Sequence, residues 1–502
     1  MTDVAIVGAG PSALAAALAL SDRGVVPEIL DVGGMAPPAA LALRDRLADA
    51  PPERWTSADR AAARGTDTPP RAVPRKTWFG SSFAYADSRM GVVSPGPVPS
   101  RAFGGYSKIW GAAVLAPDPA DLAAWPADVR RGLDAALGRA SAILPSPAAD
   151  LPYGAQMAAL RAASAMVDPQ GDVLRPARLA VARADCTACA MCLSGCPYGA
   201  IFDAAPRLEA LAREGRIKLR RGVFVTDLVE DRSAVVVRGV ELDGGRRFEA
   251  RHTRVFLAAG ALATTRIVLR TKGLFGVEAR LKDSQKILMP ILRVSAPADA
   301  LEDRGVTLAG LFVDPQVPAG FARRPHLQIT GINPMLLAHL GIGPAPSRGR
   351  LRRRLLGPLL ARLMVGWGGL HSDYSGMLTL SVSPGGDLGD VATVRILPNP
   401  QALSAARGAL AAFRRALAPT RTFIPPVGWR LVAPGEGNHI GAAWPMGGTD
   451  PTFASDAIGR PSGFARVHAV DASVFPDVPA STMLLLSMAN ADRIAREVPL
   501  DA

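Results

Sequence analysis

Val4-Ala5-Ile6-Val7-Gly8-Ala9-Gly10-Pro11-Ser12-Ala13 is the stretch that decides the fold. Four apolar residues, mostly β-branched, read as a buried strand. Gly-x-Gly-x-x-Ala follows, and then an Ala/Leu-rich helix to about Asp22. Gly8 permits a tight turn, Gly10 leaves room for a pyrophosphate at the helix N-terminus, and Ala13 is small enough for close helix–strand packing. A second strand, Glu28-Ile29-Leu30-Asp31, ends in an acid 21 residues after Gly10. Asp31 is therefore placed to bind a ribose hydroxyl. Strand, turn, helix and distant acid agree on a dinucleotide-binding unit; this unit alone leaves FAD and NAD both open.

Outward from that unit, the 502-residue chain has room for about three domains. Hydrophobic residues are 49% and charged residues 20%, which excludes wholesale disorder. Net charge is +13, favouring an acidic partner, an anionic membrane surface or nucleic acid. Aromatic residues are only 5% and interleave with no basic patch, so no nucleic-acid partner is expected. No apolar run reaches the length of a membrane span. The first strand begins almost at Met1 without a charged leader, so the reading is cytoplasmic, or peripheral on the inner face of the cytoplasmic membrane.

All four cysteines fall in one run, Cys186-x2-Cys189-x2-Cys192-x3-Cys196-Pro197. This is the bacterial ferredoxin-type iron–sulfur spacing. Structural zinc sites usually join two cysteine pairs across a longer loop, and a redox disulfide needs only one C-x-x-C. Four thiolates and no second run favour one [4Fe–4S] cluster, with [3Fe–4S] as the alternative if Cys196 is slack.

Several further segments carry a resemblance. Asn438-His439-Ile440-Gly441 precedes Pro445-Met446-Gly447-Gly448. Val467-His468-Ala469-Val470-Asp471-Ala472-Ser473 and Met488-Ala489-Asn490-Ala491 follow. Gly104-Gly105-Tyr106-Ser107 with Trp110-Gly111 lies earlier, as does Val255-Phe256-Leu257-Ala258-Ala259-Gly260-Ala261. In this order they resemble the glucose–methanol–choline (GMC) flavoprotein oxidoreductases.

That resemblance implies FAD, covalently attached or not. The implied fold is α/β (α+β overall), a Rossmann-like FAD-binding domain with an antiparallel-sheet substrate domain and an iron–sulfur loop insert. Domain boundaries are expected at 1–130, 205–280 and 436–502 for the FAD domain, 150–204 for the cluster segment and 281–435 for the substrate domain. Gly104, Gly105, Ser107, Trp110, Gly111, Val225, Ala259, Gly260 and Asp471 are implied FAD contacts beside Gly8, Gly10, Ala13 and Asp31. His439 is implied as the base in oxidation of a CH–OH group. Hydride leaves an alcohol carbon more easily as the hydroxyl proton departs, and an imidazole titrates near working pH. The family's second His or Asn is missing here; Thr482, 43 residues after His439, is the nearest match, with Ser481 beside it. His439 would then act largely alone, and His252, His326, His339, His371 and His468 read as surface or core residues.

A cysteine cluster in a GMC-like chain is similar to iron–sulfur-containing GMC sugar dehydrogenases. The expected function is a dehydrogenase acting on a sugar or related alcohol, free or lipid-linked, with the cluster relaying electrons to a redox partner or quinone. Cluster-fed reduction of a C=C or C=O bond stays open, as does a membrane-quinone electron-transfer flavoprotein. An apolar, arginine-rich insert at 333–370, with Arg348, Arg350 and Arg352 to Arg354 before Leu355-Leu356 and Trp367, reads as an interfacial helix for peripheral membrane contact.

Overall fold

Val4–Val7 is buried at all four positions and forms the middle of a parallel sheet. Parallel sheets need cover on both faces, which explains why the strand is apolar throughout. The order across this sheet is Val467–Ala469, Arg254–Leu257, Val4–Val7, Glu28–Asp31 and Lys218–Arg221. Its strands thus come from widely separated parts of the chain. The computed structural model describes residues 3–65, 76–85, 91–146, 150–297, 300–301, 305–317, 320–332 and 355–500.

The helix Pro11–Asp22 follows the first turn and is almost wholly alanine and leucine. Its small side chains let it pack closely against Leu484–Glu497, and Arg23 ties the two together by donating to the Ala495 and Val498 carbonyls. A three-stranded antiparallel sheet (Val223–Glu230, Val235–Glu241, Arg247–His252) extends this half. A five-stranded sheet runs Ile440–Gly441, Ala279–Asp283, Met377–Pro384, Asp390–Leu397 and Val92–Val93. It is fastened to the helix Ala261–Thr271 by the buried Arg266–Asp390 pair at 2.8 Å.

A seven-stranded antiparallel sheet completes the molecule. Its path is Thr422–Phe423, Lys286–Arg293, Leu363–Gly369, His326–Gly331, Leu311–Val313 and Leu174–Pro176, with Arg430–Leu431 also on Lys286–Arg293. Alternation sorts its faces. Ile287, Met289, Ile291, Leu311, Val313, Leu327, Ile329 and Met364 pack into one core with the helix Ala402–Leu417. Lys286, Gly369, His326 and Asp314 occupy the opposite face: Lys286 and His326 both pair with Gly369, and Asp314 follows the Val313–Leu327 pair. Gly369 is required here, because a Cβ would collide with the Ala480 carbonyl.

Several local expectations are corrected. Ser372–Tyr374 is a 3₁₀ turn that His371 caps, and a strand begins only at Met377. In the 333–370 insert, Leu363–Gly369 is an interior strand rather than part of an interfacial helix, because its register buries it between two neighbours. Residues 355–360 are helical, with Leu355 and Leu359 exposed; residues 333–354, with the arginines at 348–354, lie outside the described residues. Among the described residues no helix is long and apolar enough to cross a membrane.

His371 links this half to the C-terminal segment. Its Nδ1 lies 3.2 Å from Asp373 and its Nε2 3.5 Å from the buried Asp477, which Arg323 also approaches. Burial alone would lower the imidazole, but the two carboxylates outweigh it and raise His371 to about 9. A folded value above the unfolded 6.5 means the stabilisation is complete below about 6.5 and is lost as pH rises through about 9. Thermal unfolding of wild type and His371→Gln across pH 6–10 is expected to show a gap that closes in that window; a pH-independent gap contradicts it.

Candidate functional site

The nucleotide end is assembled by short-range geometry. Gly8 has φ +105°, and a Cβ there would collide with the Ala258 carbonyl, so the turn lies directly against the Arg254–Leu257 strand end. Gly10 is the N-cap of Pro11–Asp22, makes no side-chain cap, and has open space where a Cβ would point. The Gly104-Gly105 turn comes up beside it, with Gly10 Cα 3.3 Å from a Cβ placed on Gly105. Ala13 is fully buried in the helix interface. Asp31 accepts from the Gly33 amide at 2.6 Å; burial raises its carboxyl to about 6, against the Gly33 and Ala9 amides and Arg221. An uncapped helix N-terminus, an open space over Gly10 and a buried carboxylate beside it fit a dinucleotide's phosphates and ribose.

Other expected contact residues are engaged by the protein itself. Ser107 donates to Gly104 O and accepts from the Ala204 amide, and Trp110 donates to Phe202 O at 2.8 Å. Val225 is buried, and its carbonyl accepts from Arg266. Asp471 accepts from the Gly260 amide at 2.8 Å, Thr264 Oγ1 at 2.5 Å and the Ser473 amide at 2.9 Å. It thereby holds the Ala259-Gly260 turn to the last parallel strand. Gly111 faces the half-buried Lys76, whose Nζ lies 3.3 Å from a Cβ placed there.

The candidate reaction centre lies where the C-terminal segment meets the polar face of the seven-stranded sheet. Lys286 Nζ contacts His439 Nδ1 at 3.0 Å, Ser284 Oγ at 2.9 Å and the Ala480 carbonyl at 3.4 Å. Burial and then Lys286, His326 and Lys76 push His439 well below the usual imidazole range, so it is neutral; the Ser481 main chain opposes this by accepting from the ring. Burial likewise lowers Lys286 to about 7 and raises the neighbouring Asp283 to about 7. Ser481 Oγ is buried without a hydrogen-bond partner. Thr482 differs: its hydroxyl accepts from the Leu115 amide at 3.0 Å and reaches the Leu115 carbonyl at 3.5 Å.

Sequence reasoning did not single out Lys286, Asp283, Lys76, His326 or Asp314. His326 reads there as a core or surface histidine, yet its Nδ1 sits 2.7 Å from Asp314 Oδ1 and its buried Nε2 has no partner. The signal that could have found Lys286 and His326 is alternation: each is a polar residue beginning a strand whose next, apolar positions face the core.

The four cysteines are free and partly buried between two apolar clusters. Burial pushes the Cys189 thiol up to about 11 and Cys192 to about 12, and raises Cys196 too. Donors oppose this at each sulfur: the Met191 amide and Thr187 hydroxyl at Cys189, the Thr307 amide at Cys192, and the Tyr198, Ala200 and Ile201 amides at Cys196. The buried Thr307 hydroxyl is also turned towards Cys192. Among the described residues only His371, Asp373 and Asp477 bring three ligand atoms within 4.8 Å of one another; the thiols are spread more widely.

No family model matches the chain, and no curated protein matches it. Its fold is similar to that in a crystal structure of pyridoxine 4-oxidase from Mesorbium loti. The TM-score is 0.61 at 18% identity, over 99% of each chain. The mixed architecture, a parallel sheet joined to antiparallel sheets, is the α/β (α+β overall) fold class that the sequence motifs imply.

Two adjacent glycine substitutions separate fold from ligand. Gly8→Ala is expected to cost about 2 kcal/mol or more, from collision and strained φ together. Gly10→Ala should unfold like wild type in urea but retain less dinucleotide, since its methyl enters open space. Equal stability of Gly8→Ala, or full cofactor content in Gly10→Ala, contradicts this geometry.

Proposed function

We propose that this protein is an FAD- and iron–sulfur-dependent dehydrogenase that oxidises the CH–OH group of a sugar or related alcohol, free or lipid-linked. The observation that carries the reading is the position of Lys76. This half-buried lysine faces Gly111 of the candidate flavin loop, and its charge bears on both Cys192 and His439. Cysteine run, flavin loop and candidate catalytic histidine thus all lie within electrostatic reach of one lysine.

A bound FAD supplies the hydride acceptor, and a [4Fe–4S] cluster, or [3Fe–4S] with Cys196 free, supplies a one-electron outlet to a redox protein or quinone. Gly8, Gly10, Ala13, Asp31, the Gly104–Gly111 loop, Ala259 and Gly260 would hold the FAD. Cys186, Cys189, Cys192 and Cys196 would hold the cluster. The donor set fits: four thiols, three of them (Cys189, Cys192 and Cys196) with amide or hydroxyl hydrogens turned towards them, suit thiolate ligands of an iron–sulfur cluster. His439 and the unpartnered Ser481 hydroxyl act at the substrate oxygen, with Thr482 securing the loop behind them. The short helical stretch 355–360 is the proposed membrane-facing part of the insert, supported by the exposed Leu355 and Leu359.

Anaerobic mixing with a panel of sugars and alcohols is expected to bleach the flavin for at least one of them, and iron and acid-labile sulfide should be present. Cys192→Ser should lose iron yet still be bleached by substrate, failing only in electron export. His439→Ala should slow bleaching by about 10²–10⁴-fold. Zinc in place of iron, or full turnover by His439→Ala, defeats the proposal. A cluster potential far below that of the flavin would assign the reverse direction, reduction of a C=C or C=O bond.

A further inference from the structure

Lys286 begins the strand Lys286–Arg293, and its nitrogen meets three groups: the Ser284 hydroxyl at 2.9 Å, His439 Nδ1 at 3.0 Å and the Ala480 carbonyl at 3.4 Å. The carbonyl only accepts, whereas the hydroxyl and the ring nitrogen can each give or accept a hydrogen. Two protonation states therefore satisfy the same three contacts. An ammonium donates to all three, which leaves Nδ1 bare and puts the ring hydrogen on Nε2. An amine donates to the carbonyl and the hydroxyl and accepts from Nδ1–H, which leaves Nε2 with a lone pair. The states differ by one proton, and no heavy atom has to move between them.

The surroundings keep both states within reach. Burial disfavours the ammonium and lowers Lys286 to about 7, while Asp283, three residues before it, favours the charge. One Asp283 oxygen accepts from the Gly435 amide at 3.0 Å, and the other has no hydrogen-bond partner. Lys286, His326 and Lys76 are the charged or titratable groups that face His439, and all three oppose a second proton on its ring. The imidazole therefore cannot keep a proton that it takes, and the lysine 3.0 Å away can receive it. Lys286 is buried, whereas His439 is only half-buried, so the ring is the lysine's route to the outside.

We propose that Lys286 is the proton store of the site: as His439 takes the alcohol proton at Nε2, its Nδ1 hydrogen passes to the Lys286 nitrogen. This deepens the dehydrogenase reading and rests on it. In the step, the O–H bond breaks and an N–H bond forms at Nε2, while the Nδ1–H bond breaks and the amine becomes an ammonium. The C–H bond breaks, its electron pair leaves with the hydrogen to the oxidant, a flavin, and C=O forms. The imidazole ends neutral, with its hydrogen on Nε2 and able to donate to the Ser481 main chain. Lys286 returns the proton to solvent along the same path once the product has left. It acts only through His439 and is thus a positioning residue.

Two measurements on the full-length holoprotein test this. Substrate-driven flavin bleaching should rise with pH as Lys286 becomes an amine. Lys286→Arg keeps the charge but cannot give up its proton, so bleaching should slow by about 10²–10⁴-fold and the rising limb should vanish. Lys286→Met removes the store, and the limb should move to lower pH, where the buried imidazole titrates alone. A limb that stays in place in either variant overturns the proposal. The second readout needs no substrate and tells a proton store from a lysine that only packs. Nitrogen-15 NMR of labelled histidines, assigned with His439→Gln, should find the His439 hydrogen on Nε2 at low pH and on Nδ1 at high pH, with a midpoint matching the limb. In Lys286→Met that switch should be absent. One tautomer at every pH in the wild type overturns the proposal. If no alcohol bleaches the flavin, the dehydrogenase reading fails; a tautomer switch then still supports proton storage at Lys286, and its absence overturns it.

Discussion

The approach of the Ala480 carbonyl to Gly369 is the contact on which the candidate site depends. Any side chain at 369 would lift the C-terminal segment off the sheet. With glycine there, one row of the sheet and one turn of the C-terminal segment share a small polar volume: Lys286 reaches both Ala480 and His439, and Ser481 lies with its hydroxyl free. The same carbonyl that makes the glycine necessary also accepts from the lysine. Packing and electrostatics are therefore set by one constraint, and neither can be relaxed without the other.

Buried polar groups are costly unless they are paired. The row Lys286, Gly369, His326 and Asp314 lies on a sheet whose other face is a dense aliphatic core. Most of its polar atoms have partners: Lys286 has three, and Asp314 has His326 and Arg175. His326 Nε2, Ser481 Oγ and one oxygen of Asp283 do not. Orphaned atoms grouped on one side of an otherwise satisfied network mark where a polar ligand gains most from binding, because the desolvation cost is already met in the folded protein.

What was legible in the sequence followed from locality. The Val4–Asp31 unit could be read because its strand, turn and helix are adjacent in the chain, and the collision at Gly8 is a property of the turn itself. The cysteine run could be read from spacing. Strand-sheet residues were less accessible. His326 and Asp314 are only twelve residues apart, but their contact requires the antiparallel register of Val313 with Leu327. Lys286 meets His439 across 153 residues, through a pairing with Gly369 that no local pattern states. The misreading of 363–369 has the same cause. An apolar run flanked by arginines fits an interfacial helix until two partner strands are known to cover its edges.

Thr482 does not take the role that the sequence resemblance implies for its position. The resemblance placed a substrate-binding group at this position, but the threonine hydroxyl bonds both the amide and the carbonyl of Leu115. A hydroxyl has one hydrogen and two lone pairs, and those two bonds use its hydrogen and one of the lone pairs. Its work is to hold the loop after Gly111 against the C-terminal segment. The orphaned hydroxyl of this turn is instead that of Ser481, one residue earlier. Lys286 and His439 meet beside it because the Ala480 carbonyl can sit directly over Gly369.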